Sequence, residues 1–234
     1  MRKNSSLFCL LIAGVSFLLS GCVVGNGSGV ESIITGEATM GHPLAGMVTI
    51  RDSSVPSRQI IATTRADGGY SIDVSGLKAP FTIEATGLSG GISHTLHTVV
   101  NGTGVVNINP LTEVAVSGAA EGDTAETVFN SFEQEKLKKV GDSMPKIFAA
   151  LGSNLKPLFN GFGITFDEST GLLNASNESL QALFTSVGFI HSNGTLIVVN
   201  KTTSSVIFSC RINDINGGKF TAANMPPIPK IPAA

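Results

Sequence analysis

The chain has 234 residues, 42% of them hydrophobic and 14% charged, with no Trp, 27 Gly and 10 Pro, a composition that is neither collagen-like nor disordered and that supports a folded core. Low charge, 13 Phe against a single Tyr and abundant Gly favour short strands and turns over long solvated helices, and the length admits one large domain or two small ones. A formal net charge of −2 offers no electrostatic footprint for a nucleic acid, so that partner class is set aside.

The first element is an export signal. Arg2 and Lys3 form a basic n-region, and Leu7 to Leu19 is an unbroken h-region of 13 apolar or small residues, the arrangement of a secretory signal peptide over residues 1–21. It is too short to span a bilayer, which takes roughly 20 apolar residues. No other continuous apolar stretch in the chain comes near that length.

The run closes on Leu19-Ser20-Gly21-Cys22, which resembles the lipobox of bacterial lipoprotein precursors. The resemblance implies that Leu19, Ser20 and Gly21 are recognised by a dedicated signal peptidase and that Cys22 is acylated and becomes the first residue of the mature chain. Each buried methylene contributes about 0.8 kcal/mol, so several acyl chains on one residue make a durable anchor where a single chain does not. An ordinary cleaved signal followed by a chance cysteine is the plain alternative. Position 23 is Val, not the Asp that retains many such proteins on the inner membrane, and by resemblance this favours the outer membrane.

Cleavage after Gly21 leaves 213 residues carrying 13 basic and 17 acidic side chains, a net charge of −4. Cys9 departs with the signal and Cys22 is acylated, so Cys210 has no partner and no internal disulfide framework is expected. In the apolar run Val206-Ile207-Phe208-Ser209-Cys210 it reads as a buried inert thiol. Residues 22–32, rich in Gly and Ser, read as a flexible tether.

From Ile33 to about Ile108 the pattern alternates with period two and carries turn signals every eight to twelve residues, as an antiparallel sandwich requires. The expected strands are Ile33–Thr39, Met47–Arg51, Ile60–Thr64, Tyr70–Val74, Phe81–Ala85, Thr95–Val100 and Gly104–Ile108. Val48 and Ile50 share one face of the second; Phe81, Ile83 and Ala85 share one face of the fifth. Turns fall at Gly41-His42-Pro43, Ala66-Asp67-Gly68-Gly69 and Asn101-Gly102, where Gly and Asn tolerate positive φ.

Three segments of this region, Gly36-Glu37-Ala38, Pro43-Leu44-Ala45-Gly46-Met47-Val48-Thr49-Ile50 and Thr64-Arg65-Ala66-Asp67-Gly68-Gly69-Tyr70-Ser71-Ile72, together resemble the carboxypeptidase-regulatory-like domain. The resemblance covers about a third of the chain and implies a seven-stranded antiparallel transthyretin-like (prealbumin-type) sandwich over residues 33–112. It also implies a non-catalytic accessory role of the kind that family plays in surface and secreted proteins.

After Asn109-Pro110-Leu111-Thr112, a turn leading into Glu113-Val114-Ala115-Val116, the period changes. Residues 113–220 read as a smaller α+β domain, joined by a Ser-, Gly- and Ala-rich linker near Val116 to Thr124. Asp123 and Glu126 form a capping box, and Val128, Phe129, Phe132, Leu137 and Val140 recur at helical spacing until Gly141. A second helix runs from Met144, with Pro145 in its first turn, through Ile147, Phe148, Leu151 and Leu155, and Pro157 kinks or ends it. A third covers Glu178 to Val187. Thr195–Val199 and Ser205–Ile212 form a hairpin, and the Pro-rich residues 221–234 read as an extended tail.

Chemistry-bearing motifs are few. His94 and His97 stand three apart in a strand, hence on opposite faces, with no cysteine or carboxylate cluster adjoining them, so no metal is expected there. Asp167-Glu168 and Asp214-Ile215-Asn216-Gly217 lack the oxygen positions of a calcium loop. Gly87-Leu88-Ser89-Gly90-Gly91 fits the nucleophile-elbow string, yet a strand follows Ser89 where an elbow has a helix. Asn-x-Ser/Thr triplets at Asn101, Asn193 and Asn200 read as loop composition.

The expectation is therefore a mainly β plus α+β lipoprotein with no catalytic residue, no cofactor and no metal. It is anchored to the membrane through lipid on Cys22, faces an unidentified envelope protein as partner, and serves as a binding or structural module. A carbohydrate-binding or polysaccharide-handling surface lipoprotein is the alternative, weakened by the scarcity of Trp and Tyr for stacking.

Overall fold

The computed structural model describes residues 32–121, 123–131, 133–167 and 172–216. The expected signal segment, Leu19, Ser20, Gly21, Cys22, Phe132, Glu168, Gly217 and the Pro-rich tail lie outside the described residues.

The first seven strands are β1 (Ile33–Glu37), β2 (Ala45–Arg51), β3 (Gln59–Thr63), β4 (Gly69–Asp73), β5 (Phe81–Ser89), β6 (Ile92–Val100) and β7 (Gly104–Val105). They divide into a four-stranded sheet of order β3-β2-β5-β6 and a three-stranded sheet of order β4-β1-β7. Period-two burial puts Val48, Ile50, Phe81, Ile83 and Ala85 from the first and Ile34, Tyr70 and Ile72 from the second into one core, as the shared faces require. Tyr70 Oη donates to Val106 O at 2.5 Å, giving a buried hydroxyl its partner.

One pairing departs from the antiparallel expectation. β1 and β7 run parallel, with Ile34 opposite Gly104 and Thr35 opposite Val105. Asn101-Gly102 does not close a hairpin between β6 and β7; the chain crosses there to the other sheet and arrives beside β1 in the same direction.

The second half begins with α1 (Pro110–Ala119), α2 (Ala125–Phe129), α3 (Gln134–Asn154) and α4 (Lys156–Gly161). A short hairpin of β8 (Thr165–Asp167) and β9 (Leu172–Asn174) and then α5 (Asn177–Ser186) lead into β10 (Val187–Ser192), β11 (Thr195–Asn200) and β12 (Val206–Arg211), which form an antiparallel sheet before α6 (Ile212–Asn216). The result is a mixed α+β fold with a second core. Leu111 and Val114 of α1, Leu137, Val140, Met144, Ile147 and Leu151 of α3, Leu183 and Phe184 of α5, and Leu196 and Val198 of β11 all bury there.

Several helical expectations need correction, among them the single helix expected from Asp123 to Gly141, which is two: α2 ends at Phe129 and α3 begins at Gln134. Residues 110–119 are helix where a turn and the start of a linker were expected. Asn109 is a strong N-cap, its side chain accepting from Leu111 N and Thr112 N in a reciprocal capping box with Thr112, and Pro110 fills the first turn, the position where its missing N–H costs nothing. Likewise the expected break at Gly141 is absent, and α3 runs for 21 residues through Pro145. Its buried residues at 137, 140, 144, 147 and 151 keep a three-four spacing across the proline, so one continuous apolar stripe outweighs the lost hydrogen bond to the carbonyl of Gly141. Pro157, by contrast, does mark the start of a new helix, in the first turn of α4, and α2 is capped by Thr124 where Asp123 was expected.

The two cores belong to one compact unit, and β6 is the strand they share. Leu96 packs in the first core and Val99, three residues on and therefore on the other face, in the second.

Close backbone approach makes Gly36 a sensitive position, because a Cβ there would stand 1.8 Å from Val106 O. Gly36→Ala is expected to lower stability by about 1–3 kcal/mol through overpacking, read from the urea midpoint; an unchanged midpoint would show that β7 shifts freely.

Candidate functional site

The strongest concentration of ionisable chemistry lies where β6 meets α1. Residues Leu96 to Val99 are all buried, although β6 is the edge strand of its sheet. An edge strand leaves backbone N–H and C=O groups unpaired, and burial makes those groups costly unless something satisfies them. The first turn of α1 does so at His97. Glu113 Oε2 accepts from His97 N at 2.6 Å, and Thr112 Oγ1 donates to His97 O at 3.0 Å.

The imidazole is enclosed as well, with the residue only 3% exposed. Its Nδ1 lies 3.0 Å from Glu113 Oε2; because an ionised carboxylate only accepts, this nitrogen carries a proton. On the other side of the ring, Nε2 stands 3.3 Å from Glu84 Oε2, an ion-pair distance without hydrogen-bond geometry. Glu84 is the cross-strand partner of His97 on β5. The Phe129 ring of α2 completes the enclosure at 5.4 Å between centroids. Arg51 of β2 stacks over the Phe129 ring at 4.2 Å and reaches Phe129 O and Asn130 Oδ1 at 3.4 and 3.3 Å. Burial alone would make the charged imidazole unfavourable, but the carboxylates of Glu113 and Glu84 overcome it and the His97 pKa stands above the ordinary histidine value.

The sequence placed His94 and His97 on opposite faces of one strand, and they are: His94 pairs with Gly87 and His97 with Glu84. What it missed is that two carboxylates, distant in the chain, both come to His97. A signal for one of them was present. Gly90 and Gly91 both take positive φ in a two-residue hairpin turn, and a turn of that length fixes the register that sets Glu84 across from His97. Glu84 and Glu113 approach different nitrogens of the ring and do not converge, and among the described residues no three ligand side chains group closely enough to hold a metal ion. Burial holds His191 below the ordinary value, with Glu113 opposing, and burial together with Lys201 holds His94 below it.

Other sequence candidates are spread apart. Ser89 is buried at the end of β5, and its Oγ donates to His42 O at 2.6 Å. The Cys210 thiol is half-buried and not fully enclosed; burial, with Asp214 nearby, pushes it up to about 11, which leaves little thiolate at neutral pH. Asp214 lies in α6 and Asp167 ends β8. A cleft of about 520 Å³ at the C-terminal end of α1 has Glu121, Ser143, Lys146 and Asn213 in its walls, but Glu121 is highly exposed and paired with Lys139 at 3.0 Å.

Asp52 is the other strongly perturbed group. Its buried carboxylate accepts from Ser54 Oγ at 2.5 Å, from the backbone N–H groups of Arg58 and Lys78 at 2.7 and 3.2 Å, and from the Arg58 guanidinium at 2.9 Å. Burial by itself would raise its pKa; the Ser54 hydroxyl and the backbone N–H groups of Arg58, Lys78 and Ser54 reverse that and bring it down to about 2. The arrangement pins the loop between β2 and β3 and leaves no open coordination.

Comparison with protein-family models, with curated proteins and with solved structures returns no match.

A depressed carboxylate stabilises the fold above its unfolded pKa and loses that contribution as pH falls through the folded one. Between about pH 4 and pH 2, Asp52 is therefore expected to withdraw roughly 2 kcal/mol of stability. Urea midpoints across that range should show Asp52→Asn less stable at pH 6 and flatter toward pH 2; a wild-type slope in the variant would exclude Asp52 as the source.

Proposed function

We propose that this chain is a bacterial lipoprotein, acylated on Cys22 and held in the outer membrane, that serves as a non-catalytic binding or structural module of the cell envelope. The observation that carries the reading is the placement of Cys22. It closes Leu19-Ser20-Gly21-Cys22 after a basic n-region and a 13-residue apolar run, and ten residues separate it from Ile33, where β1 begins. A thiol in that place is the nucleophile that takes a diacylglyceryl group from a membrane phospholipid, the C–S bond forming as the bond to the phosphate headgroup breaks and the thiol proton is released, after which cleavage before Cys22 leaves the lipid as the attachment.

Seven strands in sheets of four and three around one core support reading residues 33–112 as a carboxypeptidase-regulatory-like module of transthyretin type. Pro43-Leu44-Ala45-Gly46 leads into β2 as this resemblance expects, whereas Asp67-Gly68-Gly69-Tyr70, expected to close a hairpin, turns the chain from β3 of one sheet into β4 of the other. The non-catalytic reading draws support from how the reactive groups are used: Ser89 Oγ donates to a backbone carbonyl, and the Cys210 thiol is held in its protonated form. A membrane-attached module of this kind works by contact, so its partner is expected to be another envelope protein.

The test is metabolic labelling with an alkyne fatty-acid analogue. Wild-type protein should label and sediment with membranes, and Cys22→Ser should lose the label altogether and accumulate as uncleaved precursor. Equal labelling of the variant and the wild type refutes the anchor.

A further inference from the structure

We propose that His97 is a proton-operated bolt between the two-sheet body and the helical layer: with its ring charged it holds α1 and α2 on β5 and β6, and with its ring neutral that layer loosens. The device is independent of the lipid anchor.

The geometry supplies both halves. The ring is buried, and each of its nitrogens faces a carboxylate from a different part of the fold, Glu113 of α1 at 3.0 Å and Glu84 of β5 at 3.3 Å. A charged imidazole is opposite in sign to both. Once the ring is neutral, one nitrogen still donates to Glu113, but the other presents a lone pair to the Glu84 carboxylate, and two negative groups confront each other across a ring that no longer screens them. The partial burial of those carboxylates, 26% and 31% exposed, strengthens the repulsion relative to open solvent.

The other charged groups do not cancel this change. From β2, Arg51 stacks on the Phe129 ring and is engaged with Phe129 O and Asn130 Oδ1. From β10, His191 lies within electrostatic reach of Glu113 but is held toward its neutral form by burial. From α2 the contact is the Phe129 ring, whose face favours a cation. Glu113 also holds the backbone N–H of His97, so any motion of that carboxylate away from Glu84 releases the edge of β6 at the same point.

The sign follows from linkage. The His97 pKa is higher in the fold than the ordinary 6.5, so the bolt is fully closed below about pH 6.5 and opens as pH rises through the folded value. Hydrogen exchange on the full chain reads this directly. After correction for intrinsic rates and normalisation to β2, peptides spanning 110–129 should exchange faster with rising pH, by up to about tenfold per pH unit because one proton is involved. His97→Gln, neutral throughout, should exchange at the wild type's high-pH level at every pH. A wild-type ratio that stays flat from pH 5.5 to 9, or a variant that keeps the slope, overturns the proposal. If the variant does not fold, the histidine ring resonances of the wild type decide: His97 should titrate above His94 and His191, which burial holds down, and a midpoint at or below 6.5 overturns it equally.

Discussion

An edge strand buried on both faces is the constraint from which the rest of the architecture follows. β6 closes one side of its sheet, yet Leu96, His97, Thr98 and Val99 are all shielded from solvent. Such a strand must find partners for backbone groups that no neighbouring strand reaches. Here the neighbour is the first turn of a helix, whose Thr112 and Glu113 side chains take the C=O and the N–H of His97. Because Asn109 caps that helix and Thr112 belongs to the capping box, the residues that start α1 also dock it. Helix initiation and layer assembly are thus one event in structural terms.

This economy has an electrostatic consequence. Satisfying a buried N–H with a carboxylate places a negative charge beside the strand, and the side chain at the same strand position is an imidazole that can answer it. Glu84, directly across the ladder, adds a second negative charge that the helix contact does not need. The ring is therefore over-supplied with acceptors, which is why its pKa moves upward in spite of burial. A glutamine or asparagine in place of His97 would satisfy Glu113 as a donor but would leave Glu84 without a counter-charge at any pH.

Local signals made much of the two-sheet body legible. Alternation located all seven strands of the first half to within a few residues, and Val48, Ile50, Phe81, Ile83 and Ala85 bury as their shared faces require. What alternation does not carry is which strands pair, and so the parallel contact of β1 with β7 lay beyond it. α1 was missed for another reason: Ala, Val, Ser and Gly between 114 and 120 have weak or mixed helix preference, and burial on nearly every side erases the periodic polar face that identifies a helix. The site was half legible. Gly90-Gly91 sets Glu84 opposite His97, whereas Glu113 arrives through tertiary docking that no local spacing encodes.

The use of polar side chains in this fold bears on what kind of protein it is. Catalysis needs groups whose hydrogen-bonding capacity is open toward a substrate and whose surroundings hold them ready. Here the buried polar groups are turned inward onto the backbone. Tyr70 serves Val106 O, Ser89 serves His42 O, Asp52 gathers N–H groups from two loops, at Arg58 and Lys78, and Lys201 Nζ donates to Phe184 O at the end of α5 at 2.6 Å. Each of these bonds ties a turn or a helix end to a neighbouring element, so removing the side chain would loosen the scaffold before it altered any surface. His97 is used differently: its second nitrogen faces a carboxylate without a hydrogen bond. Thr185 Oγ1, Ser186 Oγ and His191 Nε2 are also buried without a hydrogen-bond partner among the described residues, but of these groups it is the His97 ring that stands between two carboxylates from different parts of the fold.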